Sequence, residues 1–106
     1  MLFRSPKNIR AWSSVIECMM AKEDWDNADY NAQIAFLNSG EKPVFIFYRT
    51  AILFTCGKIK EALSELEKGM HIAPKQVKKL IEICPKIIQD PRAAEIISRY
   101  KKKKGK

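Results

Sequence analysis

Residues 43–74 read PVFIFYRTAILFTCGKIKEALSELEKGMHIAP, with a proline at each end and Gly57 between two halves of different character. In the second half Ile59, Ala62, Leu63, Leu66 and Met70 recur at three- and four-residue steps, with Lys60, Glu61, Glu65, Glu67 and Lys68 between them. That is the period of an amphipathic α-helix. The first half, Val44 to Phe54, is apolar on nearly every side and is interrupted by Arg49. Its Val, Ile, Phe and Tyr residues would suit a strand taken alone. A solitary strand among helices would leave its backbone N–H and C=O groups unpaired, so a helix flanked on both sides is expected. The stretch therefore predicts two helices that fold back on each other at Cys56-Gly57-Lys58.

Upstream, Ser5-Pro6 has the chemistry of a helix opening, a capping hydroxyl followed by a proline in the first turn. Ile9, Trp12, Val15, Ile16, Met19 and Met20 then mark an amphipathic helix to about Ala21. Lys22-Glu23-Asp24 breaks it. Trp25, Ala28, Ala32, Ala35 and Phe36 mark a second helix, with Asp24 or Asp26 at its positive end, stopped by Asn38-Ser39-Gly40. Downstream of Pro74, Val77, Leu80, Ile81 and Ile83 define a fifth helix, ended by Cys84-Pro85 because proline disfavours helix in the residue before it. Residues 86–90 read as a short connector. Pro91 begins a last helix with Asp90 as its cap and Ala94, Ile96 and Ile97 as its buried stripe, fraying into a solvated tail at residues 101–106.

A shift of 34 residues carries Trp12 onto Ile46 and then Leu80, and pairs Met19 with Leu53, Trp25 with Ile59, Ala28 with Ala62, Ala32 with Leu66, Ala35 with Gly69 and Phe36 with Met70. In most of these pairs large residues fall on large ones and small on small. The helix breaks at Gly40 and Pro74 coincide as well. In this register, roughly residues 7–84 resemble the tetratricopeptide repeat family, whose unit is a helix–turn–helix of this length. Residues 43–74 carry the clearest match, through Ile46, Thr50, Leu53, Gly57, Ile59, Ala62, Leu66, Gly69 and Pro74. The earlier unit keeps Trp12, Ala28 and Ala35 but has Glu23 and Gly40 where the family favours glycine and proline. Arg49 stands in place of a usual leucine.

The resemblance implies an all-α fold: antiparallel helix hairpins stacked as a short right-handed α-solenoid of about six helices within residues 1–100. The first repeat spans about 9–42 and the second about 43–76, followed by a half-repeat and capping helix over about 77–100 and a disordered basic tail at 101–106. Small residues at Ala28, Ala35, Ala62 and Gly69 would let paired helices approach to about 8–10 Å. The family's groove, lined by the first helix of each hairpin, would expose Arg10, Ser13, Glu17 and Met20, then Val44, Phe47, Ala51 and Phe54, then Lys78 and Ile81. Phe47 and Phe54 then have two readings: anchors for an apolar side chain of a bound peptide or helix, or cover for residues 86–100 folding back within the chain. Ser13, Glu17 and Ala51 stand where a clamp for acidic chaperone tails would need cationic or amide groups, so that ligand is not expected.

The expected role is a protein–protein interaction scaffold, with no catalysis, no metal and no cofactor. His71, the single histidine, falls at a helix end with no nucleophile motif near it, and the carboxylate pairs at Asp24/Asp26 and Glu65/Glu67 lack companion ligands. Cys18, Cys56 and Cys84 form no C-x-x-C pair, read as free buried thiols, and suit a reducing compartment such as the cytoplasm. A composition of 46% hydrophobic and 30% charged residues belongs to a soluble globular chain, and no apolar stretch is long enough to span a bilayer. Of the net charge of +8, five positive charges lie at Lys101–Lys104 and Lys106, leaving +3 on the body, so a nucleic-acid partner for the basic C-terminal third is the alternative rather than the first expectation. Two and a half repeats are close to the minimum for a stable stack, which raises two further expectations: self-association as a homodimer, or descent from the C-terminal end of a longer array that has lost its signal.

Overall fold

In a computed structural model the backbone is described for residues 8–104 and the side chains for residues 8–100. The expected opening at Ser5-Pro6 lies outside the described residues. The first described cap is Asn8, whose Oδ1 accepts the Ala11 N–H at 3.0 Å and starts α1, Ile9–Ala21. There follow α2, Trp25–Asn38, α3, Val44–Thr55, and α4, Ile59–Ile72. A single 3₁₀ turn at Pro74–Gln76 leads into the seven-residue α5, Val77–Ile83. A second at Pro85–Gln89 leads into α6, Pro91–Lys104. The described residues contain helices and turns and no strand. The Val44–Phe54 segment is helical, as the backbone-pairing argument requires.

The 34-residue register is written into the backbone. At the end of α1, Lys22 N–H donates to Cys18 O, Glu23 N–H to Met20 O and Asp24 N–H to Met19 O. At the end of α3, Cys56 N–H donates to Ile52 O, Gly57 N–H to Phe54 O and Lys58 N–H to Leu53 O. Every donor and acceptor of the second set lies 34 positions after its counterpart in the first. These are Schellman closures, which need a left-handed residue after the cap. Gly57 supplies it at φ 94°, and Glu23 supplies it at φ 61° despite its side chain.

Small residues meet where the helices cross. Ala28, Ala32, Ala35 and Ala62 are buried, and Gly69 approaches α3 so closely that an added Cβ would stand 2.9 Å from Phe47 Cζ and 3.2 Å from Ile46 Cγ2. Two clusters of buried residues form the core. In one, Trp12, Ile16 and the three alanines of α2 receive Phe45, Tyr48 and Ile52 from α3. In the other, Phe47, Ala51, Leu66 and Met70 receive Val77, Leu80 and Cys84, then Ile87, Ala93, Ile96 and Ile97. Helix α3 serves both clusters, and eight of its twelve residues are buried.

The C-terminal third departs from the regular pattern. Ala73 and Cys84, each before a proline, take nearly the same extended conformation, φ −147° and −144° with ψ 71°, and stop their helices. Helix α6 then lies along α4 and runs parallel to it: Arg99 Nη1 is 3.3 Å from Glu67 Oε2, and the Tyr100 and His71 rings meet edge-on at 6.4 Å. Its cap is Asp90, as expected, with Oδ1 accepting the Arg92 N–H at 2.9 Å. The sequence expectations need three adjustments here. The buried stripe begins at Ala93 rather than Ala94, because the helix presents 93, 96, 97 and 100 to the core. The helical backbone continues through Lys104 instead of fraying after residue 100. Of the three free cysteines, Cys18 is exposed on α1, Cys56 is half-buried and Cys84 is buried. No helix among the described residues is long and apolar enough to cross a membrane.

Candidate functional site

Three first helices, α1, α3 and α5, meet through one polar cluster. The Tyr48 hydroxyl donates to Glu17 Oε2, and the Lys79 ammonium lies 3.5 Å from the same carboxylate oxygen and 5.7 Å from the centre of the Tyr48 ring. Burial raises the Tyr48 pKa first and the Glu17 bond raises it further, while a bond from Ser13 partly offsets both. Burial works against the Lys79 charge, but Tyr48 and Glu17 outweigh it and lift the lysine above its ordinary value. A phenol whose ring is buried needs a partner for its hydroxyl, and α1 supplies that partner at Glu17.

Beside this cluster the carboxyl ends of α1, α3 and α5 converge on an open cleft of about 430 Å³. Met20, Trp25 and Ile83 give it apolar walls, Thr55 and Cys84 lie at the α3 and α5 ends, and Glu17 and Lys86 bring opposite charges to its lining. On the other face a smaller cleft of about 180 Å³ runs between α2, α3 and α4, lined in part by Phe36, Leu37, Phe45 and Arg49. Arg49, where the sequence resemblance expects a leucine, is held by two carboxylates. Burial opposes its charge, but Asp29 at 2.6 Å and Glu65 at 3.0 Å outweigh that cost and raise its pKa.

The ten groove residues expected from sequence separate in the structure. Glu17 and Met20 line the cleft, and Ser13 belongs to the Tyr48 cluster. Arg10 and Lys78 are exposed, and Val44 and Ile81 are half-buried. Phe47 and Ala51 are 0% exposed, beneath the segment from Val77 to Ile97, and Phe54 packs half-buried against the same cluster. Phe47 and Ala51 are therefore not open to a partner; of the two readings, cover for the C-terminal segment matches the packing. The reason is rotational: α3 turns Tyr48 and Thr55 toward α1 and α5, one residue around from Phe47 and Phe54. Sequence reasoning missed Thr55, Ile83 and Lys86 as lining residues and Tyr48 as the centre of the polar cluster beside them. The usable signal was a tyrosine in an otherwise apolar helix, with an acid and a lysine available on the neighbouring first helices.

Among the described residues no group of three or more His, Cys, Asp or Glu side chains could hold a metal ion. No protein-family model, no curated protein and no solved structure matches the chain.

Proposed function

We propose that this chain is a protein-interaction module of the tetratricopeptide type, in which the cleft between α1, α3 and α5 takes a peptide or helix from a partner. The observation that carries the reading is that cleft, bounded by Met20, Trp25 and Ile83 and lined by Glu17 and Lys86. An apolar hollow with a few placed charges is the usual form of a peptide-anchor site, where one inserted side chain supplies most of the affinity. The repeated helix closures of the two hairpins support the stacked-repeat part of the reading. Selection from a random peptide library tests it. Enriched peptides should share one apolar anchor and lose binding to Met20→Asp, a half-buried position at the cleft wall. Selection that yields no consensus, or a consensus indifferent to Met20→Asp, would refute the proposal.

One observation favours a second reading, self-association. Phe45, Tyr48 and Ile52 pack on the preceding hairpin, and the 34-residue register places Ala11, Ser14 and Cys18 at the equivalent positions of α1. Those three residues are half-buried or exposed. A second copy seated there would give a dimer that Val15→Glu disrupts, read by light scattering across a concentration series. A monomer at every concentration refutes this reading.

A further inference from the structure

Four large apolar side chains among the described residues stand open to solvent, and the two most exposed, Leu37 at 65% and Tyr30 at 62%, share α2. Half-buried Ile34 lies between them, and exposed Asn27 precedes Tyr30. Asn27, Tyr30, Ile34 and Leu37 alternate three- and four-residue steps, the spacing of a seam along which one helix packs on another. Beside the seam Asn31, Gln33 and Asn38 are uncharged, and Asp26 at the amino end is the exception. The other acid of α2, Asp29, turns away to Arg49 at 2.6 Å.

Helix α4 supplies an internal control. The 34-residue register places Glu61, Ser64, Lys68 and His71 at the seam positions, with Lys60, Glu65 and Glu67 beside them. That face is charged, as a solvated helix face ordinarily is. In the same places α2 carries amides, Tyr30, Ile34 and Leu37. Loss of charge around aromatic and aliphatic side chains is the mark of an interface core.

We propose that the outer face of α2 is a docking surface for a second copy of this chain, paired antiparallel about a two-fold axis near Ile34, so that Tyr30 of one copy meets Leu37 of the other. The proposal rests on the self-association reading and moves the contact from α1 to α2. Charge selects the occupant. With a net charge of +8 two copies repel each other, and a seam without charge is where they approach at least cost. A partner drawn to this cationic chain by opposite charge would find no ionic handle on the seam. Antiparallel pairing opposes the two helix dipoles and sets Asp26 of each copy near Asn38 of the other rather than near its own counterpart. None of the four seam residues lines the peptide cleft, so a dimer leaves both clefts open. The seam is short, on a 14-residue helix, and belongs with small, weak interfaces.

Sedimentation velocity of the full chain across a concentration series tests the proposal. Monomer should pass to dimer and no further, because a two-fold contact closes on itself. Added salt should tighten the dimer by screening the repulsion between two cationic chains. Tyr30→Lys and Leu37→Glu, both at exposed positions, should each weaken the dimer by about tenfold or more, with the helical circular dichroism unchanged. Both substitutions in one chain should restore it, since antiparallel pairing sets each new cation against a new anion. A chain that stays monomeric at every concentration overturns the proposal together with the self-association reading. A dimer that tolerates both substitutions but dissolves with Val15→Glu keeps that reading and overturns the seam on α2. Assemblies larger than a dimer, or a double variant that fails to pair, overturn the antiparallel two-fold arrangement.

Discussion

Replacing Gly69 with alanine tests the closest approach in the fold. Helix propensity alone favours alanine over glycine in a helix interior by about 1 kcal/mol. The new methyl would arrive 2.9 Å from Phe47 Cζ and 3.0 Å from Cε1, inside ordinary contact distance. The Phe47 ring is 0% exposed and held by Leu66, Met70 and Val77, so it has no free space to withdraw into. Overpacking of this kind costs about 1–3 kcal/mol, which exceeds the propensity gain and leaves a net loss of about 1 kcal/mol. For a domain of this size the melting temperature should fall by about 4–8 °C, with an unchanged urea m-value. The double variant Gly69→Ala/Phe47→Leu should recover part of the loss expected from summing the single changes, because leucine vacates the contested space. A raised melting temperature for Gly69→Ala, or strict additivity with Phe47→Leu, would refute the idea that contact with α3 requires glycine here.

Glu23→Gly relieves a left-handed residue at φ 61° and should stabilise the first hairpin by about 1 kcal/mol in urea unfolding. Ala62→Leu, at a fully buried crossing between α3 and α4, should destabilise by about 1–3 kcal/mol; an unchanged melt would contradict the hairpin register. The folded Tyr48 pKa lies above that of the free side chain, so its contribution is complete below about pH 10 and is lost as the pH rises through the folded value. Tyr48→Phe should accordingly flatten the alkaline limb of the stability profile. Hydrogen bonds from Arg92 hold the Asp90 carboxyl below its ordinary pKa, with backbone N–H bonds adding to the effect. Its support of α6 is thus present above the usual aspartate range and disappears as the pH falls through the folded value, a loss that Asp90→Ala should reproduce at neutral pH by thermal melting.

Much of the fold was legible because the repeat is enforced locally. The turn at Gly57 and the spacing of Ile59, Ala62 and Leu66 are short-range signals, and the shift onto Trp25, Ala28 and Ala32 repeats them at a second site. The rotation of α3 was less legible. Phe47 and Tyr48 are adjacent and both apolar in character, and which one turns to Glu17 and Lys79 and which lies under the C-terminal segment depends on where α5 and α6 settle, at least 29 positions further on. That segment is broken by Pro74 and Pro85, so the register that describes the hairpins does not fix its path. The persistence of α6 through Lys104 was hidden for a different reason. Four adjacent lysines look like solvated tail by composition, yet they follow a helix already anchored by Ala93, Ile96 and Ile97, and cations suit a helix carboxyl end.

The burial of eight of the twelve α3 residues also bears on how the chain survives synthesis. Val44–Phe54 depends on helices from both sides for its cover, and α4 and α5 leave the ribosome after it. During that interval a nearly uncharged apolar run is open to neighbouring nascent chains, with Arg49 as its only gatekeeper. Clumping in vivo is therefore expected to start at this helix, and an Arg49 substitution should lower soluble yield by more than its effect on folded-state stability accounts for.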